Sequence, residues 1–269
     1  MDAGLLLSLG AVLFGAIIGS FLNALSFRFN TGRSIANGRS RCMSCGHELG
    51  VLDLVPVFSY VILGGHCHYC GARISVQYPL VEVAAAALSL GIYLTTPAPL
   101  AYAFWMLVWM TLLFIVIYDV RHTVIPWLCS GLLGLLALVS LFVSFGGAGM
   151  QLVAPSVWAL GAGPLLAFPL TLLSLVSGGR WMGWADGVLE LSLGWLLGLS
   201  VGATALMLAF WIGAGAGIAL MCASHLWRQG GKRFTMGSEL PFAPFLVLGF
   251  LIAYFFHVDF FHTLALLWQ

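Results

Sequence analysis

Eight stretches of this chain are apolar and long enough to be read as membrane spans, which restricts the fold more than any motif does. A span needs about 20 mostly apolar residues. The segments 4–26, 80–96, 98–118, 124–145, 152–177, 186–200, 202–223 and 241–263 meet or approach that length, the sixth being the shortest. Only 7% of the 269 residues are charged and 61% are hydrophobic. A soluble domain carries about 25% charged residues, so this chain cannot make a water-facing surface around a core. The expected fold is an all-α polytopic membrane protein. Residues 95–99 and 145–149, rich in Pro and Gly respectively, read as tight turns between spans.

Charge fixes the expected orientation. The N-terminal segment lacks the basic start and small-residue cleavage site of a signal peptide, and its cations, Arg28 and Arg33, follow the apolar run. It therefore reads as a retained anchor with its N-terminus outside. The loops 27–79, 119–123, 178–185 and 224–240 then share the cytoplasmic face. They contain Arg28, Arg33, Arg39, Arg41, Arg73, Arg121, Arg180, Arg228, Lys232 and Arg233, which are all ten Lys and Arg of the chain. Cytoplasmic loops carry such an excess. The net charge of +1 points to no nucleic-acid partner.

Only the loop 27–79 is large enough to fold by itself, and so small a domain needs a staple. It contains RCMSCGHELG at 41–50 and HCHYCGARIS at 66–75, two C-x-x-C pairs separated by 21 residues, each followed by glycine. Two thiolates spaced in this way grip one metal from a tight turn. Two such knuckles make a closed zinc site of four thiolates, Cys42, Cys45, Cys67 and Cys70. Arg39, Arg41 and Arg73 would offset its negative charge. Disulfides would need an oxidising compartment, and a thioredoxin-like pair needs a βαβ setting. His47, His66 and His68 are near enough in sequence to replace one thiolate. Cys129 and Cys222 fall within apolar spans and read as packing residues.

Of the nine carboxylates, eight can be sorted one by one, Glu239 falling in the ELPFAPF segment before the last span. Asp2 and Asp259 fall at the outer face, and Glu48 and Asp53 in the cysteine loop. Glu82 is expected in the first turn of the second span, where it meets the helix dipole. Asp119 ends the third span and Asp186 begins the sixth, so the expected topology puts both at one depth on the cytoplasmic edge. Each alone reads as a boundary residue. Together they suggest chemistry, because two carboxylates close in a partly dry site cannot easily both ionise. The ionised one draws a proton from water while the protonated one polarises a peptide carbonyl. Gly183 and Gly187 bracket Asp186. Glu190, four residues on, reads as a helix-face charge near the interface.

The chain resembles the type IV prepilin peptidases, bacterial inner-membrane aspartic proteases of the GxGD type. The resemblance runs in order through GSFLN (19–23), the paired C-x-x-C loop, ISVQYPLVE (74–82), DVRHTVIP (119–126) and ELPFAPF (239–245), with GWADGVLELSLGWLLG (183–198) matching imperfectly. It implies Asp119 and Asp186 as the catalytic pair and the four loop cysteines as zinc ligands. The implied reaction is removal of the short basic leader of prepilins or pseudopilins at the cytoplasmic membrane face. Methylation of the new N-terminus with S-adenosylmethionine would follow. The implied division is an anchor (1–26), a zinc-binding domain (27–79) and a transmembrane peptidase domain (80–269).

Where the resemblance implies G-x-G-D-x-K-L, this chain has Ala185 for the second glycine and Val188 for the lysine, and Trp127 stands where an aspartate often follows Ile125-Pro126. A divergent or inactive homologue acting as a membrane assembly factor is the alternative reading. A transporter would more naturally show mid-bilayer charges or repeats. GAGAG (213–217) reads as a small-residue helix contact, and Asn23 as either a cross-helix bond or a methyl-transfer residue. The basic stretch 225–233 reads as an anchor against lipid. No residues are assigned to S-adenosylmethionine.

Overall fold

The computed structural model describes residues 3–31, 40–146, 149–226 and 240–267. The basic residues Arg33, Arg39, Arg228, Lys232 and Arg233, together with Asp2 and Glu239, lie outside them. Helices dominate, and the chain divides into two compact units, Met1–Ile117 and Tyr118–Gln269.

In the first unit, α1 (Ala3–Arg28) packs on α3 (Gln77–Thr95), and α2 (Phe58–Ile62) is a short turn of helix in the loop between them. The sequence permits close approach because Gly15 and Gly19 lie one turn apart on α1. A Cβ at Gly15 would come within 2.5 Å of the Ala85 carbonyl and the Ser89 Cβ, and one at Gly19 within 2.9 Å of the Glu82 Cα. Small residues let membrane helices gain contact where hydrophobicity gives no preference. Polar groups add to this seam. Ser89 Oγ donates to the Ala11 carbonyl, and the Asn23 side-chain amide donates to the Tyr78 carbonyl at 3.1 Å. Asn23 is therefore a cross-helix bond, the first of its two expected roles. Most of α4 (Pro99–His122) also belongs to this unit.

In the second unit, α7 (Trp184–Leu197) packs against α5 (Trp127–Phe142), α6 (Val157–Ser177), α8 (Leu199–Leu226) and α9 (Ala243–Phe256). Glycine again sets the distances. Gly187 of α7 lies against Thr171 of α6, Gly194 against Gly163, and Gly249 of α9 against the Ala205 carbonyl of α8. The α6 helix starts at Ser156, whose Oγ accepts from the Ala159 N–H at 3.1 Å, and stops at Gly178 in the left-handed region (φ 60°).

A helix occupies each expected span, but those at 124–145, 186–200 and 241–263 are shorter than a full crossing, α5 having 16 residues and α7 and α9 14 each. Two further local differences appear. On either side of the expected turn at 145–149, β1 (Val143–Gly146) and β2 (Gly149–Leu152) pair antiparallel, and residues 147–148 between them lie outside the described chain. The run 241–263 is interrupted at His257 (φ 51°), so α9 is followed by a separate α10 (Phe260–Leu267). Among the described residues, five helices are long and apolar enough to cross a membrane: Gly4–Arg28, Gln77–Thr95, Pro99–His122, Val157–Ser177 and Leu199–Ser224. Two more, Trp127–Phe142 and Ala243–Phe256, are apolar but shorter. The GAGAG segment lies in α8, where Gly213 lets the rings of Phe245 and Phe242 approach.

Candidate functional site

The cysteine loop folds as two copies of one knuckle. In the first, the Cys42 N–H donates to the His47 carbonyl and the Gly46 N–H to the Cys42 carbonyl. In the second, the Cys67 N–H donates to Ala72 and the Gly71 N–H to Cys67, all between 2.8 and 2.9 Å. Gly46 (φ 71°) and Gly71 (φ 68°) take the left-handed conformation that closes each turn. Short bridges Arg41–Glu48 and His66–Arg73 end the knuckles alike.

The result is a cluster in which the four Sγ atoms of Cys42, Cys45, Cys67 and Cys70 lie within 4.8 Å of one another. Tetrahedral zinc with Zn–S near 2.3 Å would space its sulfurs by about 3.8 Å, and Cys42 and Cys70 are 3.9 Å apart. The donor set and its dimensions therefore fit such an ion. The backbone N–H groups of Cys45 and Ser44 hold the Cys42 thiol down to about 6. The Ala72 N–H pulls the Cys70 thiol down too, but desolvation and the crowding thiols of Cys45, Cys67 and Cys42 push it up to about 12. Four sulfurs this close cannot all become thiolates without a cation among them. Around the cluster, the histidines make other contacts: His47 stacks on Tyr69 at 3.6 Å, and His68 pairs with Asp53 at 3.7 Å.

The second constellation is built on helix ends. Asp119 sits in the last turn of α4, which continues to His122, and its carbonyl accepts the N–H of Thr123 (φ 52°) as the chain turns toward α5. Asp186 is the third residue of α7, and its Oδ2 accepts the Gly183 N–H at 3.1 Å. Both carboxylates are buried, and the charge of Asp119 reaches Asp186. The N–H of Ala243, at the start of α9, is directed at the Asp119 carboxylate. The Asp119 Oδ2 is nevertheless buried without a hydrogen-bond partner among the described residues. Buried polar atoms rarely lack a partner, so this oxygen is an exception among the buried polar groups.

The structure also places Ala185, Glu190 and Glu82. Ala185 lies inside the first turn of α7, a helical position that alanine suits; Gly183 before it has an ordinary φ of −71°. Glu190 is no surface charge, being only 2% exposed on α7 one turn beyond Asp186. Glu82 lies in the second turn of α3, since that helix starts at Gln77, and it is buried. Its Oε2 accepts the Val57 N–H at 2.7 Å. Nothing local in the sequence signals this bond, because its donor is a backbone group of a distant loop. Val188, Trp127 and Gly187 all fall on helices as read.

A helical membrane protein with a four-cysteine cluster and a buried carboxylate pair is a narrow class. Residues 13–96 match the family described as Bacterial Peptidase A24 N-terminal domain. A prepilin leader peptidase/N-methyltransferase of Burkholderia pseudomallei (strain 1026b) is 30% identical over 281 residues, covering 95% of this chain and 87% of its own. The protein of that name from Bacillus subtilis (strain 168) is 29% identical over 255 residues, with 91% and 92% covered, and that from Pseudomonas putida 29% over 281, with 94% and 91%. No solved structure matches the chain. The chain belongs to the prepilin leader peptidase/N-methyltransferase family and is a multi-pass membrane protein.

Proposed function

We propose that this protein is an aspartic endopeptidase that removes the leader of type IV prepilins or pseudopilins, with Asp119 and Asp186 as its catalytic pair. The observation that carries the reading is the burial of both carboxylates within electrostatic reach of each other, with the buried Asp119 Oδ2 lacking a hydrogen-bond partner among the described residues. In the cycle, the ionised member takes a proton from water as the water oxygen attacks the scissile carbonyl carbon. The protonated member gives its proton to the carbonyl oxygen, forming a neutral tetrahedral diol. One carboxyl then returns a proton to the amide nitrogen while the other takes a hydroxyl proton of the diol, so that the C–N bond breaks, the acid and the amine leave, and the pair is restored. The test replaces Asp119 or Asp186 with Asn and follows leader removal from a co-expressed prepilin. Undiminished processing in either variant ends the pair mechanism.

The same reading gives Cys42, Cys45, Cys67 and Cys70 a structural zinc ion, which would tie the two knuckles together and perform no step. It places the protein in the bacterial inner membrane with its N-terminus outside and the carboxylate pair facing the cytoplasm, supported by the one-sided distribution of Lys and Arg. A prepilin keeps an apolar helix in the bilayer and a basic leader outside it, so its scissile bond lies at the depth proposed for the pair. Membrane lipid is the surrounding partner, and nucleic acid has no role. The names of the relatives support a second activity, methylation of the new N-terminus with S-adenosylmethionine as donor. Mass spectrometry of the mature pilin tests it: one added methyl is expected, and an unmodified terminus removes this half of the function. Anchor (1–26), zinc domain (27–79) and peptidase (80–269) are the proposed division of labour.

A further inference from the structure

The loop that carries the cysteine cluster has an apolar side that the cluster does not use. Val51 and Leu52 are each 84% exposed and Ile62 is 80% exposed, and Phe58 and Val61 are exposed beside them. Within 49–65, LGVLDLVPVFSYVILGG, Asp53 is the only charged residue. Its carboxylate is engaged elsewhere, accepting from the Gly50 N–H at 2.9 Å and the Tyr69 hydroxyl at 3.2 Å. The exposed face is thus apolar and uncharged, although the flanking knuckles carry Arg41, Glu48 and Arg73.

The depth of this face is fixed by one hydrogen bond. The Val57 N–H donates to Oε2 of Glu82, five residues inside α3. That helix has 19 residues, about 28 Å at 1.5 Å per residue. The hydrocarbon core is about 30 Å thick, so α3 has no length to spare outside it. Near its start, Tyr78 stacks on Phe27 at 5.5 Å, the kind of ring that belongs at a membrane–water interface. Val57 is tied beyond this level, toward the bilayer. It has a positive φ of 64° with ψ −49°, a backbone state that a β-branched residue adopts only when its surroundings hold it there. In the same unit, Leu80 and Val83 of α3 and Ile17 and Phe21 of α1 are likewise exposed and apolar. Between α1 and the loop lies a cavity of about 320 Å³, with apolar walls from Ile17, Phe21 and Leu54 and a polar side from Ser20, Arg28 and Ser40.

We propose that residues 51–62 form an interfacial membrane anchor, their side chains seated among lipid acyl chains beside α1 and α3, so that the cysteine cluster is held against the bilayer rather than free in the water. An amphipathic element with one apolar face lies in this boundary. The anchor depends on the chain being a membrane protein, not on its proposed peptidase activity.

The test uses the full-length protein in vesicles of phosphatidylethanolamine and phosphatidylglycerol, with a benzophenone amino acid in place of Phe58, Ile62 or, as a control on the exposed knuckle, Met43. After irradiation, mass spectrometry is expected to find phospholipid adducts at 58 and 62 and none at 43. The substitution Val61→Glu should abolish the adduct at 58 while leaving the metal content of the protein unchanged. Adducts only to a second copy or to co-reconstituted prepilin would assign the patch to a protein partner and overturn the proposal. So would the absence of lipid adducts at 58 and 62, or equal lipid labelling at 43.

Discussion

Asp119 and Asp186 occupy opposite kinds of helix end: Asp119 closes α4 and Asp186 opens α7, yet the charge of one is felt by the other. This relationship makes the strongest prediction. Asp119→Asn and Asp186→Asn should each lower leader cleavage by at least about 10³-fold, since each removes a group that moves a proton in the transition state. The double variant should be little worse than either single one, because the pair acts as a unit. Cleavage kinetics on a purified prepilin in detergent measure this.

Ala185 sits in the first turn of α7 rather than in an irregular loop. Replacement by glycine should therefore cost no more than about 1 kcal/mol of stability and leave the cleavage rate of the same order. A large acceleration in Ala185→Gly would instead place the alanine methyl in the path of the substrate backbone.

The cysteine cluster should contain one tightly held zinc per chain. Replacing Cys67, the buried ligand, with Ser should abolish zinc retention and open the loop 41–74 to protease, while helices elsewhere persist. Zinc-finger peptides gain about 10–16 kcal/mol from the ion, so the loop should lose its fold outright. Metal analysis and limited proteolysis, repeated after strong chelation of the parent protein, check the expectation.

Glu82 holds the Val57 N–H in the first unit. Glu82→Ala strands that donor, at a cost of about 1–3 kcal/mol. Hydrogen exchange at 55–63 should quicken strongly, whereas Glu82→Gln, which keeps an acceptor oxygen, should restore much of the protection.

Gly19 meets the α3 backbone with no room for a side chain, a built Cβ lying 2.9 Å from Glu82 Cα and 3.0 Å from the Val81 carbonyl oxygen. Gly19→Leu should push α1 from α3 and destabilise the protein by at least about 1–3 kcal/mol. Gly10→Leu, on a part of α1 with open space around it, should be neutral. Thermal unfolding in one detergent compares the two.

The apolar segments and the paired knuckles with their closing glycines were legible in the amino-acid sequence because each is set locally. Apolar length marks a membrane helix, two intervening residues bring two thiols to one turn, and a left-handed residue falls where glycine permits it. The parts that depend on distant partners were not legible. Glu82 reads as a charge at a helix start, and only folding brings it the Val57 N–H. Glu190 reads as surface, and only the packing of α7 buries it. The hairpin at 143–152 and the break at His257 are backbone choices inside runs whose composition is uniformly apolar or small. For Asp119 and Asp186, residue type and expected depth were readable, but whether their charges meet depends on where α4 ends and α7 begins in space. Local spacing determined the pieces of this protein; their convergence was decided by helix packing, which brings together groups that chain position keeps apart.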